Sequence, residues 1–422
     1  MDQRRITNPY KFFIIWFKSL ASLFSPSSHS LSMRIPAIMA EPKTVTLNCL
    51  CGQSRASYKP PSENLELQLC HCSICRHQSG LPCAFLVQIP PSCRDTFVAN
   101  GPFSAFNTSS QLTRHFCSIC GANVYITDRE GKVTDVCAGV LDRPQLLQSV
   151  EQIYCSSTKD GGISPWFAES TLWSEDPDTS KKLDPSDLNL TSTTSINDKK
   201  GSIPLPCHCQ CKAVSFRISH PPKDTTSFPS NFSAGPYSDL LIPYHVNDSR
   251  QSNPENDPWF LRTIPTPDTS DQTISTTRYL AGLCACQSCR RASGALFQSW
   301  TFIPRHLLLS ATNDEVLDID SLRQPSDPAK GRMLTYQSSQ GTYRDFCSNC
   351  GATVFWRSDK RADVFDVSTG LLDAGGDVRA ERWLSWCTDR VSFEEEAEGE
   401  EVLRRLKEGL ASWKGVTEAI DC

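Results

Sequence analysis

Three thiols within six residues, Cys70-His71-Cys72-Ser73-Ile74-Cys75, with Arg76 directly after them, form the most chemically distinctive stretch of the sequence. Thiolates are soft donors that select zinc or an iron–sulfur centre over magnesium or calcium. Three of them fill three corners of a tetrahedral zinc and leave the fourth for water or a substrate atom. The pattern returns as Cys284-Ala285-Cys286-Gln287-Ser288-Cys289-Arg290, and Ser-Gly follows at the same offset in both copies (Ser79-Gly80, Ser293-Gly294), so the chain carries a tandem repeat. Of 21 cysteines, 14 fall into two equivalent sets of seven. Cys49-x-Cys51 and Cys117-x-x-Cys120 complete the first set, and Cys209-x-Cys211 and Cys347-x-x-Cys350 the second.

Seven thiols divide most simply into four and three. Cys49, Cys51, Cys117 and Cys120 would make a closed four-thiolate zinc that cross-links strands far apart in sequence. Cys70, Cys72 and Cys75 would make an open zinc where chemistry happens. The second copy gives Cys209, Cys211, Cys347 and Cys350 as the closed set and Cys284, Cys286 and Cys289 as the open one, with Cys207 a spare that could displace a ligand. Several alternatives stay open at this point. A fourth ligand from His71, Cys83 or Cys137 would turn the triad into a second scaffold site; His71 is Ala285 in the other copy, which argues against it. An iron–sulfur cluster needs four ligands in one arrangement, and a disulfide framework needs a secretory context. Arg76 and Arg290 either support their loops or, as cations beside a negative zinc site, draw in an anionic substrate.

Short strands must position these thiols. Val45, Leu47, Cys49 and Cys51 alternate up to Gly52, and Leu65, Leu67 and Leu69 alternate into Cys70, so the triad is expected in the turn after a strand. Further strands are expected at Cys83–Ile89, Val124–Ile126 and Val133–Val140, and in the second copy around Val214–Ile218, Leu296–Ile303 and Val354–Trp356. Gly121 and Gly351 close the Phe-Cys-x-x-Cys-Gly knuckles, where a tight ligand turn needs positive φ. Both copies continue into Gly-x-Leu-Asp (Gly139–Asp142, Gly370–Asp373). Cys51 and Cys70 are 19 residues apart but Cys211 and Cys284 are 73 apart, which places an insertion of 54 in the second copy. Rich in Ser, Thr, Pro, Asn and Asp between residues 220 and 277, it reads as loop or disorder more than as a lid. Val402, Leu403, Leu406, Leu410 and Trp413 fall at helical spacing after the acidic run Glu394–Glu401, which predicts an amphipathic helix packed on the second repeat.

The domain reading is therefore a disordered leader at 1–43, a zinc domain at 44–173, a polar linker at 174–204, and a second zinc domain at 205–392 with a disordered insertion at 220–277. The acidic run and helix follow at 393–422. In the leader, Phe12–Phe17 is too short to span a bilayer. The basic, serine-rich composition is similar to a transit peptide, and Met39 offers an alternative start. A net charge of −5 (42 basic against 47 acidic residues) gives no global field for nucleic acid. The expected setting is a reduced cytoplasmic one, with mitochondrial and nuclear alternatives.

Cys49-x-Cys51-Gly52, Cys70-His71-Cys72-x-x-Cys75-Arg76 and Phe116-Cys117-x-x-Cys120-Gly121 together resemble the glutathione-dependent formaldehyde-activating enzyme family, also known as the centromere protein V domain. The resemblance covers about residues 44–170 and, around the insertion, 205–392. It implies a mainly β fold of the Mss4-like (β-tent) kind in two tandem copies, with Zn2+ as cofactor at two ions per domain and up to four per chain. It also implies glutathione or a similar small thiol at the three-cysteine zinc and carbon–sulfur lyase activity. Lys212 in place of Gly52 and Ala285 in place of His71 make the second copy the less orthodox. The competing expectation is a non-catalytic zinc-stabilised module that recruits a protein or chromatin partner.

Overall fold

The computed structural model describes residues 43–188, 203–244, 251–266, 274–324 and 332–413. The expected leader, most of the linker's second half and the end of the tail lie outside them. The first repeat runs β1 (Val45–Asn48), β2 (Arg55–Tyr58), β3 (Leu65–Cys70), α1 (Ser73–Ser79), β4 (Ala84–Gln88), β5 (Val98–Asn100), β6 (Phe103–Asn107), β7 (Leu112–Cys117), β8 (Asn123–Asp128), β9 (Val133–Cys137), β10 (Leu147–Ile153), β11 (Thr171–Trp173) and β12 (Lys182–Leu183). The second runs β13 (Leu205–His208), β14 (Ser215–Ile218), β15 (Leu261–Thr266), β16 (Ile274–Cys284), α2 (Gln287–Ser293), β17 (Gln298–Pro304), β18 (Leu308–Ser310), α3 (Ile319–Arg323), β19 (Met333–Ser339), β20 (Thr342–Cys347), β21 (Thr353–Ser358), β22 (Arg361–Ser368) and β23 (Leu384–Trp386). The chain described ends in α4 (Glu400–Ser412).

Each repeat sets a small antiparallel sheet (β1-β2-β5; β13-β14-β18) beside a large one. The large sheets share one order, β3-β4-β9-β8-β7-β6 in the first and β16-β17-β22-β21-β20-β19 in the second. A parallel strand is added next to the triad-bearing strand in each, β10 on β3 and β23 on β16. Period-two alternation accounts for the buried faces: Val45 and Leu47 in β1, and Leu65, Leu67 and Leu69 in β3, are buried while Glu66 faces out. The mainly β architecture in two matching halves is the one the sequence predicts.

The two halves pack through a pseudo-symmetric contact. The Gly139 amide donates to the Gly294 carbonyl (2.8 Å) and the Gly370 amide to the Gly80 carbonyl (3.1 Å). Phe116 lies against Gly351 and Phe346 against Gly121, at positions where a Cβ would strike the ring. Asn123 Nδ2 donates to the carbonyls of Ser293 and Gly351 (3.4 and 3.3 Å), and Gln78 Nε2 donates to the Cys350 carbonyl. His77 stacks on His208 with ring centroids 4.2 Å apart.

Three expectations are corrected. First, α4 packs on the first repeat, not the second. It buries Val402, Leu406 and Leu410 in the first repeat's core, Gly409 abuts the Trp166 backbone, and the Ala168 amide donates to the Arg405 carbonyl (3.1 Å). Second, the expected linker is partly folded: β11 and β12 pair, and Leu172, Leu183 and Leu188 bury themselves with Cys155. Third, the described parts of the insertion are structured. β15 pairs with β16, and Ala234, Leu240, Trp259 and Phe260 form a buried cluster with Leu280, Phe302 and Val364 of the large sheet. Phe228, Phe232 and Phe260 also meet one another edge-on or stacked at 4.7 to 6.1 Å, but these rings are separated by polar stretches in the sequence and leave no local periodicity to read.

Candidate metal and thiol-binding centres

Each closed set is brought together from opposite ends of its repeat. Cys49 lies just beyond β1 and Cys51 in the following turn, while Cys117 ends β7 and Cys120 belongs to the knuckle after it. Their four Sγ atoms lie within 4.8 Å of one another, as do those of Cys209, Cys211, Cys347 and Cys350. Neighbouring sulfurs are 3.4 to 3.6 Å apart in the first set (Cys49–Cys51, Cys51–Cys117) and 3.5 Å in the second (Cys209–Cys211, Cys211–Cys347). A tetrahedral zinc with Zn–S near 2.3 Å needs sulfurs about 3.8 Å apart, so the donor sets fit the ion after a small expansion. Backbone amides already point at the sulfurs, Ser54 N to Cys49 (3.2 Å) and Val214 N to Cys209 (3.4 Å), as they do for thiolates. The knuckles turn through Gly121 and Gly351, both at φ +76°, and the third turn through Gly52 at +71°. Lys212, in the place of Gly52, takes the same left-handed conformation at φ +59°, so the substitution leaves the ligand turn intact.

Each triad sits where a strand becomes a short helix. Cys70 is the last residue of β3, Cys72 caps α1 by accepting the Cys75 amide (3.4 Å), and Cys75 is inside the helix. Gly80 ends the helix at φ +78°. Cys284, Cys286, Cys289 and Gly294 repeat this arrangement on β16 and α2, with the Cys286 cap accepting the Cys289 amide at 3.3 Å. The three sulfurs of each triad lie within 4.8 Å of one another, and no fourth His, Cys, Asp or Glu joins either group among the described residues. His71, Cys83 and Cys137 thus stay out of the first triad. The His71 ring is buried against Gln152 (2.8 Å), and burial holds it largely neutral with its pKa lowered to about 4. Cys207 faces the Leu205 carbonyl, outside the closed set. Thiol hydrogen bonds from Cys70 and Cys75 lower the pKa of Cys72, and those from Cys284 and Cys289 do the same to Cys286.

Two residues at the triads escape a reading by proximity in sequence. Arg114 of β7 donates from Nη2 to Cys75 Sγ (2.8 Å), and Arg344 of β20 reaches Cys289 Sγ (3.5 Å) and Ser288 Oγ (2.8 Å). Both guanidiniums are buried. The available signal is a repeated Arg-x-Phe-Cys-x-x-Cys, three residues upstream of each knuckle. Arg76 and Arg290, singled out beside the triads, sit elsewhere. Arg76 Nε donates to the His71 carbonyl (3.2 Å). Arg290, 1 % exposed, donates to the carbonyls of Gly139 and Leu141 of the first repeat (2.7 and 2.9 Å) and pairs with Glu398 (2.9 Å). It is a clamp between the repeats, the supporting role of the two that its position beside the triad allows.

The second triad forms the floor of a cavity of about 840 Å³, and the insertion supplies part of its wall through residues 236, 238–240 and 244. Asp239 fixes that wall. Its carboxylate accepts from Tyr244 N (2.7 Å), Ser392 Oγ (3.0 Å), Phe393 N (2.7 Å) and Arg390 Nη2 (3.1 Å). The segment that the composition reads as filler is therefore a tethered roof over the second site. No helix of the described residues is long and apolar enough to cross a membrane.

Comparison with curated proteins gave no match. The family model described as glutathione-dependent formaldehyde-activating enzyme matches residues 44–157 and 271–389, together more than half of the chain. The second match begins beyond Cys209 and Cys211, which the folded chain nonetheless brings to Cys347 and Cys350 across the insertion. With two matching halves, each holding one four-cysteine and one three-cysteine cluster suited to zinc, the chain belongs to the glutathione-dependent formaldehyde-activating enzyme family, with its Mss4-like fold, in two copies.

Proposed function

We propose that the protein is a zinc-dependent enzyme of the carbon–sulfur lyase type, which makes or breaks the bond between the sulfur of a small thiol such as glutathione and the carbon of formaldehyde or a related small electrophile. In this reading the fourteen clustered cysteines hold four zinc ions, the four-thiolate sets for structure and the triads for substrate. The observation that carries it is a three-thiolate cluster without a fourth ligand among the described residues, backed by a buried guanidinium, in each half. Zinc in such a site lowers the pKa of a bound thiol so that a thiolate exists at neutral pH. The chain's own residues prepare that site. Cys72 and Cys286 are fixed by helix caps, and Arg114 and Arg344 hold charge against Cys75 and Cys289.

For addition, the substrate thiol loses its proton, its sulfur lone pair forms the C–S bond, and the carbonyl π pair moves to oxygen, which takes up a proton. The product is the S-hydroxymethyl thiol, and the reverse sequence cleaves it. The test measures S-hydroxymethylglutathione formation from glutathione and formaldehyde by the wild type and by the double variant Cys72→Ser/Cys286→Ser. The wild type should exceed the uncatalysed rate and the double variant should not. Equal acceleration by both would remove the enzymatic claim for this pair of substrates.

A further inference from the structure

The two copies present different walls around the same chemistry. Strand register aligns them. Cys70 pairs with Ala84 and Cys284 with Gln298, so Trp300 stands where the first repeat has Leu86, and Phe302 where it has Gln88. Arg114 pairs with Ile126 and Arg344 with Trp356, so Trp356 replaces Ile126. Ile153 lies beside Cys70 and Ser392 beside Cys284, so Phe393 occupies the place of Tyr154, and both are in the left-handed region (φ +53° and +57°). Gly282 replaces Gln68, and the side chain this removes is what gives Leu240 of the insertion its room, since a Cβ on Gly282 would strike Leu240. In the first repeat that place holds Gln68, hydrogen-bonded to Glu151 (3.1 Å).

Trp300, Phe302 and Trp356 add rings where the first repeat has Leu86, Gln88 and Ile126, and Phe393 keeps the ring of Tyr154. With Leu240 and Tyr244 of the insertion they line the second triad's cavity, and Tyr244 from the roof meets Phe393 edge-on at 5.4 Å. Arg361 lies under three rings, those of Trp259, Phe302 and Trp356, at 5.1 to 5.4 Å, and pairs with Asp366, so the aromatic wall is braced in a fixed orientation. Aromatic faces and edges at fixed positions favour an aromatic guest over an alkyl one of similar reach.

We infer that the second repeat is a binding site for thiols, or thiol adducts, that carry an aromatic group next to the sulfur-bearing carbon, with the sulfur at Cys284, Cys286 and Cys289 and the ring between Trp300, Trp356 and Phe393. The first repeat has Leu86, Gln88 and Ile126 at the positions of Trp300, Phe302 and Trp356. The inference rests on the proposed thiol-binding role of the triads and adds a substrate class for one of them.

Calorimetric titration of the full-length zinc-loaded protein with benzyl mercaptan and with ethanethiol tests it. Benzyl mercaptan should bind one site per chain about tenfold more tightly than ethanethiol, the ratio expected for burying a ring against aromatic walls. That site should vanish in Cys286→Ser and persist in Cys72→Ser. Trp356→Ile, which installs the first repeat's residue at a partly exposed position, should bring the two affinities within about threefold. Tyr244→Ala on the roof should weaken benzyl mercaptan alone. Equal affinities in the wild type, a preference that survives Trp356→Ile, or one that disappears with Cys72→Ser would overturn this inference while leaving thiol binding in place. If neither thiol binds a protein that carries its zinc, the functional reading beneath it fails as well.

Discussion

Arg114 and Arg344 each bring a buried cation against one sulfur of a triad, and that contact has a measurable sign. A cation favours thiolate over thiol. Without it the sulfurs hold their protons to higher pH, and protons compete with the metal. In a Cys72→Ser background, Arg344→Gln should therefore move acid-driven zinc release from the second triad upward by about one pH unit. A chromogenic chelator follows the release, and Arg344→Lys should recover part of the shift; an unmoved midpoint would make the arginine a packing residue only. Lys212 offers a second test. A side chain held at φ +59° costs about 1 kcal/mol against glycine, so Lys212→Gly should raise the stability of the second repeat by about that amount. An unchanged or lower midpoint in thermal unfolding would mean that the turn relieves its strain elsewhere. The cysteine ligands were legible in the sequence because their spacing is short and occurs twice. Arg114 was hidden by a 39-residue separation from Cys75, and the inter-repeat clamp made by Arg290 was hidden because adjacency to a triad in sequence does not decide which way a helix faces.

At the scale of elements, the alternating strands β1 and β3 were readable from residue pattern, and α4 was readable as a helix but not as to its partner. A helix's apolar stripe shows that it docks, while the complementary surface, here Trp166 and β10 of the first repeat, is assembled by the fold. Leu406→Ala should cost about 3 kcal/mol as a buried truncation. Hydrogen exchange should then speed up at β10 while β20 keeps its protection, and the reverse pattern would contradict docking on the first repeat. The roof is governed by Asp239, whose carboxylate satisfies four donors. Asp239→Ala leaves those donors unmatched at a local cost on the order of 2–3 kcal/mol. Limited proteolysis should cut between residues 236 and 244 in the variant and spare the wild type, and equal resistance would show that the roof is held by its apolar cluster alone. The insertion was misread because Leu240, Trp259 and Phe260 are scattered among polar residues and find their partners on a sheet formed by later sequence.

Across the whole molecule, the two copies share a core through Gly80, Gly139, Gly294 and Gly370, and Arg290 of the second copy closes on carbonyls of the first. The polypeptide thus behaves as an internal dimer with unequal sites. That pairing was invisible in the sequence because its closest contacts are backbone approaches at glycines, and the side chains that join them, Gln78, Asn123 and Arg290, reach carbonyls of the other repeat that no residue pattern marks. In the proposed function each repeat divides into a closed cluster that holds the fold and an open one that faces substrate. A four-thiolate zinc in a small β domain contributes on the order of 10 kcal/mol to folding, whereas a triad confined to one strand end and one short helix constrains only a local turn. Zinc per chain, measured by elemental analysis on the purified full-length protein and on Cys72→Ser/Cys286→Ser, tests this division most directly. Four zinc ions are expected in the wild type and two in a double variant that still elutes as the folded protein. A wild type with two ions, or a double variant that loses all its zinc, would contradict the division.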